Sequence, residues 1–88
     1  MEFRGVVGSQ RRITIPRIYA IEYGFSEGEL VEVSLSDSAI PEESGFLAHI
    51  QKGFRVQIPQ VEYEKMELSQ GSTLDVEIEP VKKEKTTE

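Results

Sequence analysis

The stretch Arg12-Ile13-Thr14-Ile15-Pro16 returns, 43 positions later, as Arg55-Val56-Gln57-Ile58-Pro59. In the first copy Ile13 and Ile15 alternate with Arg12 and Thr14. In the second, Val56 and Ile58 alternate with Arg55 and Gln57. A period of two marks a strand with one buried and one exposed face. The apolar residues therefore point inward and the Arg, Thr and Gln residues outward. Pro16 and Pro59 end these strands. Proline lacks a backbone N–H and fixes φ near its helical value, so each suits a helix start.

The offset holds without a gap from residues 3–35 to residues 46–78. Phe3/Phe46, Arg12/Arg55, Ile15/Ile58, Pro16/Pro59, Ser26/Ser69, Gly28/Gly71 and Val33/Val76 are identical. Val7/Ile50, Ile13/Val56, Phe25/Leu68, Val31/Leu74 and Leu35/Ile78 keep apolar character. Matched proline, glycine and apolar positions in one register indicate an internal duplication.

Each repeat is expected to run strand, turn, strand, helix, turn, strand. The first strands are residues 3–7 and 45–50. Gly8-Ser9-Gln10 and Gln51-Lys52-Gly53 form the turns, so the first two strands of each repeat read as a β-hairpin. Helices follow at about 17–23 and 60–66, with Ile18, Ile21 and Tyr19 inward in the first. Val61, Tyr63 and Met66 take that role in the second. Ser26-Glu27-Gly28 and Ser69-Gln70-Gly71 make matching turns. The last strands, 30–35 and 73–78, alternate apolar and acidic residues, which predicts one-sided strands with solvated acidic faces. Residues 36–45 are expected to be a linker, giving one domain over 1–80. The polar residues 81–88 form an expected disordered tail. The fold class is mostly β with short helices.

The 88-residue chain has no Cys and a single His. A disulfide framework, a Cys-ligated metal site and a multi-His metal site are excluded. No nucleophile–base set or phosphate-binding loop is present, so an enzyme ranks last, and no cofactor or metal is expected. No apolar run approaches the ~20 residues of a membrane-spanning helix, and the first residues do not form a signal peptide; a cytoplasmic protein is expected. The formal net charge is −6. Residues 1–20 nevertheless hold Arg4, Arg11, Arg12 and Arg17 against Glu2 alone. The chain is an acidic body with a basic beginning, and local charge decides where a polyanion sits.

The segment Gly8-Ser9-Gln10-Arg11-Arg12-Ile13-Thr14-Ile15-Pro16 precedes the helix, and Gly24-Phe25-Ser26-Glu27-Gly28-Glu29-Leu30-Val31-Glu32-Val33 follows it. Together they resemble the AbrB/MazE/SpoVT swapped-hairpin family. The second copy is degraded: Lys52-Gly53-Phe54-Arg55-Val56-Gln57-Ile58-Pro59, then Leu68-Ser69-Gln70-Gly71 and Leu74-Asp75-Val76. The resemblance covers about residues 3–79. It implies a small swapped-hairpin β-barrel made by two interleaved units, here both in one chain as a pseudo-dimer. The alternative is a homodimer exchanging hairpins between chains.

The resemblance further implies a DNA-binding transcriptional regulator, with double-stranded DNA as partner. It transfers Arg12 and Arg55 as DNA-binding residues. Arg4, Arg11, Arg17 and Lys52 flank them, and Gln10, Thr14, Gln51 and Gln57 are candidate polar contacts on that face. Repeat 1 is richer in Arg, so binding is expected to be asymmetric. The helix positions that carry further basic residues in some members are Ala20 and Ile21 here, and Tyr63 and Glu64 in repeat 2. The alternative function is an antitoxin-like or adaptor protein with a protein partner. The short, charged tail lacks the apolar character of a toxin-wrapping segment. His49 and the acidic residues Glu32, Asp75, Glu77 and Glu79 read as structural or solvated.

Overall fold

The computed structural model describes residues 1–81. Strand β1 (Glu2–Val6) is followed by a left-handed turn, β2 (Arg12–Thr14), helix α1 (Arg17–Tyr23) and β3 (Leu30–Asp37). The second half runs β4 (Ile40–His49), β5 (Arg55–Gln57), α2 (Gln60–Lys65) and β6 (Thr73–Pro80). The strands form two antiparallel sheets, one in the order β1-β6-β3-β4 and one of β2 and β5. They are separate sheets, not one closed ring of hydrogen-bonded strands.

The duplication read from sequence reappears in the strand registers. Phe3 faces Val76 across β1 and β6, and their equivalents Phe46 and Val33 face each other across β4 and β3. Ile13 faces Val56, and Ser34 faces Glu77, each residue paired with its own repeat equivalent. A local twofold axis therefore passes through both pairs. Backbone bonds obey the same relation. Ile15 N–H donates to Phe54 O at 2.8 Å, and Ile58 N–H donates to Arg11 O at 2.8 Å. Arg11 and Phe54, themselves equivalent, share a left-handed φ of 58° and 59°.

Pairing runs between repeats more than within them. The expected hairpin of each repeat closes only near its turn, where Gly8 N–H donates to Arg12 O and Gln51 N–H to Arg55 O, both at 2.7 Å. Beyond it β1 joins β6 and β2 joins β5. An isolated two-stranded hairpin buries too little apolar surface to be stable. Exchange lets each repeat cover the inward face of the other.

The span 36–45, expected as a linker, is strand except for Ser38 and Ala39. Asp37 Oδ1 accepts the Ala39 N–H at 3.0 Å, an Asx turn that needs no glycine or proline. This turn joins β3 directly to β4, with Leu35 facing the buried Ser44. The first strand of repeat 2 consequently starts at Ile40, earlier than the expected residue 45. Residues 82–88, most of the expected tail, lie outside the described residues.

The core repeats as well. Fourteen of the sixteen buried apolar residues fall into seven equivalent pairs, among them Val7/Ile50, Ile15/Ile58 and Val33/Val76. The other two, Ala20 and Met66, show where the halves differ. The inward assignment of Ile18, Ile21 and Tyr19 is overturned: Ile18 and Ile21 are each 65% exposed and Tyr19 is exposed too. Helix α1 turns only small Ala20 into the core, so its larger side chains face solvent. In repeat 2 Val61 is exposed, whereas Tyr63 packs against the core and Met66 is buried. No helix among the described residues is long and apolar enough to cross a membrane.

Candidate nucleic-acid interface

Strands β2 and β5 bury Ile13 and Val56 on one side and present Arg12, Thr14, Arg55 and Gln57 on the other. Arg12 faces Gln57, and Thr14 faces Arg55. The two arginines are thus diagonal neighbours across the axial Ile13–Val56 pair. Diagonal positions on a sheet face lie roughly 7–8 Å apart, within reach of long side chains. Both arginines are half-buried, unlike the fully outward residues the alternation suggested.

Secondary contacts fix this face. Gln57 Nε2 donates to Gln10 O at 2.8 Å, which ties β5 to the turn of repeat 1. Gln51 Nε2 reaches Gln57 Oε1 at 3.5 Å. Arg11 Nε donates to Ile58 O at 2.9 Å, so Arg11 braces the start of the second repeat's helix connection. Arg55 Nε donates to Lys52 O at 3.4 Å, folding its guanidinium over its own turn. Arg12 Nε is buried and has no hydrogen-bond partner among the described residues. Arg17 and Lys52 are exposed, at the start of α1 and at the second turn.

Arg4 does not join this group. It stands on β1 directly opposite Asp75, with Nη1 on Asp75 Oδ1 at 3.1 Å and Nη2 on Thr73 Oγ1 at 3.2 Å. Its charge is met within the four-stranded sheet, the cross-strand carboxylate pairing that a strand arginine ordinarily finds.

The remaining cations divide cleanly. Seven basic side chains lie among the described residues. Arg4 pairs with Asp75 and Lys65 with Glu62. Arg11, Arg12, Arg17, Lys52 and Arg55 form no ion pair among the described residues, and all five belong to the two turns, β2, β5 and the start of α1. The large sheet carries the opposite charge outward, through Glu32, Asp75 and Glu79. Glu79 Oε2 meets the Met1 ammonium at 3.2 Å. His49 is exposed, its Nδ1 at 3.1 Å from Gly28 O.

Sequence reasoning missed one residue of this surface. Glu27 Oε2 accepts the Gly53 N–H at 2.6 Å, so the loop after α1 holds the turn of the other repeat. The pairing of Glu27 with Gln70 was visible in the repeat alignment. Its reach to Gly53 was not, because only strand exchange brings the two segments together.

No protein-family model matches the chain, and no curated protein matches it. Among solved structures it is similar to the solution structure of PHS018 from Pyrococcus horikoshii. The two share 24% identity with a TM-score of 0.82, over 97% of this chain and 95% of that one. At that identity the likeness establishes a shared fold.

Proposed function

We propose that this protein is a small DNA-binding transcriptional regulator of the swapped-hairpin kind. Its two repeats stand in for the two subunits of a dimer, and their two sheets enclose one shared core where that architecture has a small barrel. One observation carries the reading: the five cations without carboxylate partners gather around β2 and β5, where the local twofold relates Arg12 to Arg55. Phosphates on a duplex supply the counter-charge these residues lack, and the polar groups between them can reach base edges. The acidic sheet on the far side confines a polyanion to this approach.

Binding to a mixed-sequence duplex of about 20 base pairs, followed by anisotropy across a salt series, tests the reading. With five cations engaged, log K is expected to fall with log salt at a slope of roughly −4.5. The double variant Arg12→Ala/Arg55→Ala is expected to lose most affinity and flatten that slope. A salt-independent or unaltered response overturns it. The single-chain arrangement predicts a molar mass in solution near the chain's own 10.0 kDa. A value near twice that favours hairpin exchange between chains.

A protein partner is the second reading, and α1 supports it. Ile18, Ile21 and Tyr23 are each more than 60% exposed on a seven-residue helix. Stoichiometric co-purification of a protein with no DNA binding at low salt would put this reading first.

A further inference from the structure

The twofold relation of the backbone is not obeyed by the charges around the two turns. At the second turn, Lys52 and Arg55 flank Gly53, whose N–H is held by the Glu27 carboxylate at 2.6 Å. The Arg55 guanidinium lies over the same glycine: a Cβ there would sit 3.4 Å from its Nε and Nη2. Carboxylate and guanidinium are therefore both placed at this one turn. A carboxylate anchored at this turn lowers the local positive potential that Lys52 and Arg55 create there.

At the first turn Gln70 takes the place of Glu27, Gln10 that of Gly53 and Arg12 that of Arg55. Gln70 is neutral and makes no such bond to Gln10 among the described residues. Arg11 and Arg17 add two cations where the second repeat has Phe54 and Gln60. One half of the face thus sets Arg11, Arg12 and Arg17 around a neutral loop. The other sets Lys52 and Arg55 against a carboxylate.

We infer that Glu27 makes this surface a one-sided reader of duplex DNA, gripping one half-site through residues 8–17 and only weakly engaging the other. The inference rests on the DNA-binding reading above. A homodimer repeats every side chain in both halves, so its matching target is a palindrome. A covalent duplication is released from that constraint, and here the Glu27-for-Gln70 difference adds to the extra cations Arg11 and Arg17 in unbalancing it. The partner this chemistry fits is a duplex whose preferred sequence is not palindromic and whose contacted phosphates cluster on one side of the pseudo-axis.

Glu27→Gln keeps an acceptor for the Gly53 N–H while removing the charge. In the full-length chain it is expected to bind the same mixed-sequence duplex about fivefold to tenfold tighter, with a salt slope steeper by about one. Gln70→Glu, the mirror change, is expected to weaken binding by a similar factor. Hydroxyl-radical footprinting on a duplex selected by the wild-type protein is expected to protect one half. Protection spreads to the second half with Glu27→Gln. Equal protection of both halves by the wild type, or no gain from Glu27→Gln in a protein that melts normally and binds DNA, overturns the inference alone. Absence of salt-dependent binding by the wild type overturns the functional reading and the inference with it.

Discussion

Arg12 and Arg55 sit diagonally across β2 and β5 with the axial Ile13–Val56 pair between and beneath them. The apolar pair fixes where the two guanidinium groups can stand. Both axial side chains are fully buried, so the strands cannot slide without exposing them. A one-residue slip would send Ile13 outward and Arg12 into the core. Ile13→Ala is expected to cost about 2–5 kcal/mol by cavity formation, read from urea denaturation. The loss reaches both repeats at once, because the residue lies on the axis between them.

Arg4 offers the contrasting case. Its partners Asp75 and Thr73 are exposed, and an exposed ion pair contributes about 0–1 kcal/mol. Arg4→Ala is expected to leave both stability and duplex affinity nearly unchanged, whereas Arg12→Ala reduces affinity strongly. Equal losses for the two variants in the same anisotropy series would place the interface on the large sheet instead.

Gly5 is a packing constraint within β1. A Cβ at this position would lie 2.8 Å from Val76 Cγ2 and 3.1 Å from Ile13 Cγ2, against side chains buried on both sheets. Gly5→Ala is expected to destabilise by about 1–3 kcal/mol through overpacking, despite the alanine's better strand propensity. Its repeat equivalent is already alanine, Ala48, half-buried on β4. The two sheet ends therefore differ in how closely they approach β2 and β5. Ala48→Gly is expected to destabilise far less, and thermal melts of the two variants make the comparison.

Much of this was legible in the sequence. The period-two alternation placed Ile13, Ile15, Val56 and Ile58 inward, and the two prolines marked the helix starts. The repeat offset anticipated which core residues would be equivalent. Helix α1 was misread because Ile18 and Ile21 look like an inward stripe. A seven-residue helix offers few positions to the core, and here small Ala20 takes the contact. The span 36–45 looked like a linker because its serines and acidic residues are turn-forming. Their alternation along β4 becomes visible only once β3 supplies the register. Pairing between repeats is a long-range property, so neither the Arg4–Asp75 contact nor the Glu27–Gly53 bond could be located from local pattern.

The contact of α2 with β4 is expected to respond to pH. Buried Ser44 donates its hydroxyl hydrogen bond to the Glu62 carboxylate, and this holds Glu62 below the ordinary glutamate value. Partial burial opposes the shift, and Lys65 at 3.6 Å adds to it. A carboxylate held ionised by the fold stabilises it above the unfolded-state value. That contribution is expected to be complete at neutral pH and to fade as pH falls below about 4.3 and through the lowered folded value. The stability difference between wild type and Ser44→Ala should therefore shrink in acid. A difference constant from pH 7 to pH 3 would assign the hydroxyl a role independent of Glu62 ionisation.

The chain leaves both helices through equivalent left-handed residues, directly after α1 and one residue past Met66 after α2, but only one of them is glycine. Gly24 closes α1 with φ 75°, and its amide bonds back to Ile21 O at 3.2 Å. Glu67, its repeat equivalent, has φ 54°. A side chain with a Cβ pays roughly 1–2 kcal/mol for a left-handed backbone, a strain glycine does not have. Glu67→Gly removes that strain, and the greater freedom of glycine in the unfolded chain offsets part of the gain. The net expectation is a stabilisation of about 0.5–1 kcal/mol. Gly24→Ala is expected to destabilise, since nothing crowds its missing Cβ and the backbone angle alone opposes the substitution. Opposite signs for the two variants in chemical denaturation would establish that the left-handed closure is a requirement of the duplicated backbone. A destabilising Glu67→Gly would instead show that the Glu67 side chain contributes more than its backbone strain costs.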